Sequence, residues 1–301
     1  MRKHSFTTSA VSAAAIALAF TATAQAQNAR SFIATTGNDV NNCTSSAFCR
    51  TLARALTVTN PDGEVVARDS GGFGPATITQ PVIISGIGVD ASVDVTSGNA
   101  LTINTTGNVT INGFNLRGHG TGNNGILVTQ VGFLRLYHME IHDFVEDGIN
   151  FQATTSLAVY DSKINDCGHD GLLVQGAGAR AYVHGTAFDN NQFAGADASA
   201  GFTTIADSSA HGNNRGFFAQ GGRMELFQDR AIFNNIGIAA SGSGGVNGPG
   251  TLFFADCLIA DNATAFNVGT GGTMAGSSPG TTLISPGQAT AGTLSAAQSL
   301  F

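Results

Sequence analysis

Two stretches of the chain repeat the same placement of acids at a separation of 23 residues: Asp143-Phe-Val-Glu146-Asp147-Gly148 and Asp166-Cys-Gly-His169-Asp170-Gly171. Asn124-Gly125 stands one interval earlier. If 23 residues make one turn of a stacked fold, Asp147 lies beside Asp170, Glu146 beside His169 and Asp143 beside Asp166. Two carboxyls about 5 to 5.5 Å apart suit a retaining glycosidase and wider pairs an inverting one, so Asp147, Asp170 and His169 are the candidate catalytic groups. Crowded carboxylates repel one another unless a cation neutralises them, which makes Asp143, Glu146 and Asp166 candidate Ca²⁺ ligands. The plainer reading is that Asp or Asn before Gly is turn chemistry. His142, in one column with Arg117 and Asn165, is a further candidate base, although a lone His in a polar turn is commonly just solvated.

A second set of residues offers binding. All three tyrosines, Tyr137, Tyr160 and Tyr182, fall with Arg135 and His184 at neighbouring offsets of successive repeats. Aromatic rings give sugars apolar contact while their hydroxyls hydrogen-bond. Cross-strand stacking on a solvated sheet is the competing account. Glu140 over Lys163 reads as a surface ion pair worth under about 1 kcal/mol, and Asp161, Asp207, Asp229 and Asp256 read as bend residues.

The elements that must carry these groups come from a repeat. Taking Val89, Leu116, Ile141, Ile164, Phe188, Ala210, Ile232 and Ile259 as anchors gives intervals of 27, 25, 23, 24, 22, 22 and 27 residues. Five residues before the later anchors stand Ile111, Leu136, Val159, Val183, Ile205, Phe227 and Phe254, all apolar between mostly polar neighbours. That alternation is a strand with one buried face. A second short strand follows a glycine at Gly125, Gly148, Gly171, Gly216 and Gly237. Several short strands per turn without helices predict an all-β, single-stranded parallel β-helix (solenoid) of about nine coils, roughly 43 Å long at about 4.8 Å per coil. Asn191, Asn213, Asn235 and Asn262, each three past its anchor, predict a hydrogen-bonded side-chain ladder; carbohydrate attachment at Asn262-Ala-Thr264 is the alternative. Cys167 and Cys257 are four coils apart, roughly 19 Å, and a disulfide cannot span that. Cys43 and Cys49, close together in a polar loop, are the expected disulfide pair.

Composition bounds the rest. Forty glycines and only 11% charged residues argue against a helical fold. Residues 1–26, with basic Arg2 and Lys3, an apolar run from Ala10 to Phe20 and Ala24-Gln25-Ala26, read as a signal peptide cleaved near Ala26, so a secreted or periplasmic location is expected. Removing Arg2 and Lys3 from the 13 basic residues leaves 11 against 20 acidic ones. Nucleic acid, which needs Lys and Arg to displace counterions, is therefore excluded, and no run is long enough to span a membrane. No Gly-x-Ser-x-Gly elbow, His-Glu-x-x-His helix, phosphate loop or Cys-x-x-Cys pair occurs. The expected organisation is an N-terminal loop with a capping helix at 50–56 within residues 27–62, the β-helix over 63–268, and a C-terminal cap and flexible tail over 269–301.

The order of a Cys-x5-Cys loop, the helix at Arg50 to Leu56, Gly63-Glu-Val-Val, Ile83-Ile-Ser-Gly86 and serial Asp-Gly-Ile or Asn-Gly-Ile coils resembles the exported right-handed parallel β-helix proteins of the pectate-lyase-like superfold. The resemblance implies right-handed coiling and a membership weighted toward polysaccharide lyases, glycoside hydrolases, epimerases and adhesins. Gly168-His169-Asp170 is similar to a short Gly-His motif of polygalacturonases, but that family's Arg-Ile-Lys is absent, so its catalytic residues are not carried over. A lyase would need a base, usually Arg or Lys, beside calcium; Arg117 and Arg135 are available. The expectation is a monomer that binds, and in a lyase or hydrolase manner acts on, a polysaccharide or cell-surface glycan along Tyr137, Tyr160 and His184, with Ca²⁺ as the one candidate cofactor. The alternative is a non-catalytic, adhesin-like structural protein.

Overall fold

In a computed structural model the described residues are 27–242, 248–276, 282–284 and 289–292. The segment read as a signal peptide lies outside them, as does most of the expected tail. The chain winds as a right-handed solenoid of about nine turns, each turn placing short strands in three parallel sheets. The first sheet has eleven described strands, from Asn28–Ile33 to Thr273–Gly276. The second has ten, from Gly71–Gly72 to Leu283–Ile284, and the third ten, from Ala76–Ile78 to Ala289–Ala291. Because Asn28–Ile33 pairs in parallel with Thr59–Ala67, the first sheet begins inside the segment expected to hold only loop and helix. At the other end, Leu283–Ile284 and Ala289–Ala291 continue the sheets past 268.

The eight-residue strand of the sequence pattern is two strands meeting at a corner. Between the first and second sheets one residue per coil takes a left-handed conformation: Gly113, His138, Asp161, Gly185, Asp207, Gln228 and Asp256, with φ from 47° to 72°. A matching column leaves the second sheet through Asp143, Asp166, Asn190, Gly212, Phe233 and Asp261, with φ from 54° to 71°. Gly, Asn and Asp adopt this region at least cost, which accounts for most of both columns. Asp161, Asp207 and Asp256 are bend residues. Asp229 is not, because Gln228 takes that corner and Asp229 falls one residue later, buried.

Register corrects two anchors. Val93, not Val89, pairs with Leu116, and Ala231, not Ile232, pairs with Ala210 and Ile259. Leu226 therefore points inward beside Ile205, while Phe227 faces out. Val89 stands in the turn four residues before Val93, whereas at Ile232 and Phe227 the larger apolar neighbour looked like the core residue, and a one-residue shift exchanges the faces. Ile111, Leu136, Val159, Val183, Ile205 and Leu226 form one fully buried column, each side chain contributing about 1.5–3 kcal/mol.

The asparagine ladder runs through Asn191, Asn213, Asn234 and Asn262. The Asn191 backbone N–H donates to Asn213 Oδ1 (2.8 Å), that of Asn213 to Asn234 Oδ1 (2.9 Å) and that of Asn234 to Asn262 Oδ1 (2.8 Å). Asn235 is exposed, and its side chain lies outside this ladder, donating to Asn214 Oδ1 at 2.9 Å. Burial of Asn262 to 5% exposure removes it as a carbohydrate acceptor. Cys43 and Cys49 form a disulfide, and Cys167 and Cys257 are free and buried. The helix spans Leu52–Val58, two residues later than expected, because the Arg50 and Thr51 amides both donate to Asp39 Oδ1 and Thr51 caps the helix through Arg54 N–H.

Candidate functional site

A second ladder stands at the corner where each coil enters the third sheet. The backbone N–H of Asn124 donates to Asn99 Oδ1 (3.2 Å), that of Asp147 to Asn124 Oδ1 (3.2 Å), that of Asp170 to Asp147 Oδ1 (3.1 Å) and that of Ala194 to Asp170 Oδ1 (2.9 Å). Asp147 and Asp170 are thus rungs of a structural ladder, as turn chemistry would have them. They differ from the asparagines below in having no side-chain N–H to give and a charge to settle. Asn150 Nδ2 donates to Asp147 Oδ2 at 2.7 Å, and Gln175 Nε2 in turn donates to Asn150 Oδ1 at 2.7 Å.

His169 settles the remaining charge. Its Nδ1 lies 3.1 Å from Asp147 Oδ1 and 2.9 Å from Asp170 Oδ2. The Asp147 contact has hydrogen-bond geometry. Asp170 Oδ2 is close but out of line, and it has no hydrogen-bond donor. The two carboxyl side chains are 4% and 0% exposed while the imidazole is 47% exposed, so only His169 meets solvent. The ring stacks on Phe193 at 4.8 Å between centroids, and the Arg215 guanidinium lies over Phe193 (4.6 Å) and Phe218 (4.8 Å).

The electrostatics follow from this packing. Contact with Asp170, then the Asp147 charge, hold His169 up at about 9 against the opposing effect of desolvation. Burial pushes the Asp147 and Asp170 carboxyls up, and His169 partly offsets it. Asp197 on the adjacent strand Ala194–Ala198 is 1% exposed, and neither of its oxygens has a hydrogen-bond partner of good geometry. Its pKa is well above the ordinary carboxylate value, through desolvation and then the Asp170 charge. The sequence does not mark Asp197, Asn150 and Gln175 as parts of this corner, whereas Arg215, just before Gly216, shares the offset of Asp147 and Asp170. Asp197 had one signal, a charge inside an Ala-Gly-Ala strand, but that strand lacks the bulky apolar residues that marked the others.

The chemistry open to this corner is narrower than a carboxylate pair suggests. Both carboxylates are buried, Asp147 held by His169 and Asn150 and Asp170 by the Ala194 amide, so neither presents an oxygen to a substrate as a nucleophile. Asp143 and Asp166 do not gather into a calcium cage with Glu146. Both are left-handed turn residues; Asp143 accepts from His142 Nδ1 at 2.8 Å and Asp166 from Asn165, and Glu146 is exposed. His142 is no free base, since its Nε2 meets Asn115 Oδ1 at 3.2 Å. Among the described residues, the acids and histidines that converge as a metal ligand set would are Asp147, His169 and Asp170. With two carboxylates and one nitrogen they do not suit calcium, which takes six to eight oxygens.

The tyrosines lie elsewhere, on the outer face of the first sheet. Tyr137, Tyr160 and His184 share one column and Arg135, Ala158 and Tyr182 the next. Tyr137 and Tyr160 stack at 5.0 Å with 8° between planes, and Tyr182 tilts at 55° to Tyr160 and stacks on His184 at 22°. The Tyr137 and Tyr160 rings cover each other, leaving Tyr182 the most exposed. Arg135 lies 3.8 Å over the Phe133 ring, and His184 Nε2 is 3.2 Å from Asp207. In every coil a second-sheet strand, such as Glu140–His142 or Lys163–Asn165, separates this face from the Asp147 corner. The two expected halves of one substrate site are therefore on different faces of the solenoid.

Residues 82–247 match the protein family described as "Right handed beta helix region". Among solved structures the chain is similar to an alginate lyase from Paenibacillus sp. str. FPU-7, with 17% identity and a TM-score of 0.61 over 88% of this chain and 99% of that one. The pectate lyase Pel9A aligns at 13% identity and a TM-score of 0.49, over 91% of this chain and 79% of that one. A lacto-N-biosidase from Eubacterium ramulus aligns at 9% and 0.49, over 89% and 67%. No curated protein matches the chain by sequence.

Proposed function

The chain belongs to the right-handed β-helix family, and from that premise we propose that it is an exported protein that binds an extended polysaccharide along the outer face of its first sheet. The observation that carries this reading is the grouping of Tyr137, Tyr160, Tyr182, His184 and Arg135 on that face, one or two per coil. Phenol hydroxyls repeated at the coil spacing of about 4.8 Å present a polymer with equivalent hydrogen-bonding groups, and Tyr182 adds an open ring. The alginate lyase of similar fold acts, by its description, on a polysaccharide, which agrees with a glycan ligand. Export rests on the sequence of residues 1–26, and no described helix is long and apolar enough to cross a membrane.

Action on a polysaccharide at the Asp147 corner, a face apart from the tyrosines, is a second reading, favoured by one observation. The corner ladder uses Asn at 99 and 124 but Asp at 147 and 170, and the added charge is turned toward a half-exposed imidazole. The test of the first reading is a glycan array followed by calorimetry on the best ligand. Binding that falls at least tenfold in Tyr137→Ala/Tyr160→Ala supports it. Absence of binding to a broad polysaccharide panel overturns it and leaves a structural, adhesin-like role.

A further inference from the structure

The strongest unexplained feature is the Asp170 carboxylate. One oxygen is pinned by the Ala194 amide at 2.9 Å. The other, Oδ2, is fully buried, 2.9 Å from His169 Nδ1, yet has no proton directed at it. The single Nδ1 position is already aligned with Asp147 Oδ1. An anionic oxygen without a donor in a buried place is costly, and one proton on Nδ1 cannot serve both acids.

Ligand atoms from the three residues all lie within 4.8 Å of one another. An ion about 2.0–2.2 Å from each of three such atoms would hold them roughly 3.4 Å apart in a tetrahedral arrangement, close to the 2.9 and 3.1 Å found here. The supporting shell is also in place. Asn150 Nδ2 holds the far oxygen of Asp147 and the Ala194 amide that of Asp170, the kind of outer hydrogen bonds that orient metal ligands.

We propose that Asp147 Oδ1, Asp170 Oδ2 and His169 Nδ1 form a site for one first-row divalent transition metal ion of the Zn²⁺ type. The nitrogen ligand and the small ligand count select against Ca²⁺. The site does not depend on glycan binding at the first sheet, and different variants probe the two.

The experiment is isothermal titration of untagged, EDTA-stripped protein with ZnCl₂ and, separately, CaCl₂, on wild type, His169→Gln and Asp170→Asn. Asn at 170 can keep the ladder bond to Ala194, as Asn99 and Asn124 do in their own coils, and Gln at 169 lies outside the ladder, so both variants should fold. The expected result is one Zn²⁺ per chain at micromolar affinity or tighter, weakened at least tenfold in each variant, with no saturable Ca²⁺ binding. Absence of saturable Zn²⁺ binding in wild type overturns the proposal. So does Zn²⁺ affinity unchanged in both variants, or Ca²⁺ binding equal to Zn²⁺.

Discussion

Asp147 Oδ1 accepts the backbone N–H of Asp170 at 3.1 Å, so two acids that could be read as a catalytic pair are first of all consecutive rungs of one ladder. The rung and the charge are separable by substitution. Asp147→Asn can keep the acceptor, whereas Asp147→Ala leaves the buried Asp170 amide without a partner, at about 1–3 kcal/mol. Urea denaturation should show the alanine variant the less stable by that amount. Equal midpoints for the two would mean that the rung contributes nothing.

The same logic separates Asn213 from Asn235. Asn213 Oδ1 accepts both the backbone and the side-chain N–H of Asn191, and its Nδ2 donates to the Phe188 carbonyl and to Asn234 Oδ1. Asn213→Ala should therefore cost at least about 3 kcal/mol, several buried hydrogen bonds being lost together. Asn235→Ala, at an exposed position, should fall within about 0.5 kcal/mol of wild type. Reversed magnitudes would sink the ladder assignment.

That contrast also shows how the fold was written in the chain. Apolar residues repeating at inward offsets, such as Leu136, Val159 and Val183, specify a solenoid because nothing else buries them once per coil. Register was less legible where two adjacent residues are both apolar. Leu226 and Phe227, or Ala231 and Ile232, satisfy the alternation in either phase, and only pairing with Ile205 and Ala210 decides it. The candidate site was legible as a column, since equal offsets did bring Asp147, His169 and Asp170 together. Their burial and the place of the tyrosines on another sheet were not. Those depend on the corner at His138 and Asp161, a left-handed residue that non-Gly sequence announces weakly.

Chemical labelling checks the interior directly. Burial pushes the Cys167 and Cys257 thiols up to about 12, and both are inaccessible. Because the thiolate is the reactive form, native protein at pH 8 should resist iodoacetamide, and two thiols per chain should be alkylated in denaturant without reductant. Rapid labelling of the folded protein would place at least one of them outside the core.

Asp229 gives the fold a pH dependence of defined sign. It accepts the Ser208 amide at 2.8 Å and the Phe227 amide at 2.9 Å, yet desolvation outweighs both and lifts its carboxyl to about 7. With a value of about 3.9 when unfolded, the folded chain holds the extra proton between the two values. The stability this contributes is complete below about pH 4, declines as pH rises toward 7 and is gone above it, an upper limit of about 4 kcal/mol. Asp229→Asn loses one amide acceptor at every pH, about 1–2 kcal/mol, but carries no ionisable group. Near pH 4.5 the variant should melt below wild type, and by pH 7.5 the gap should close or reverse. A gap that stays constant over that range would show that Asp229 does not titrate in the folded protein.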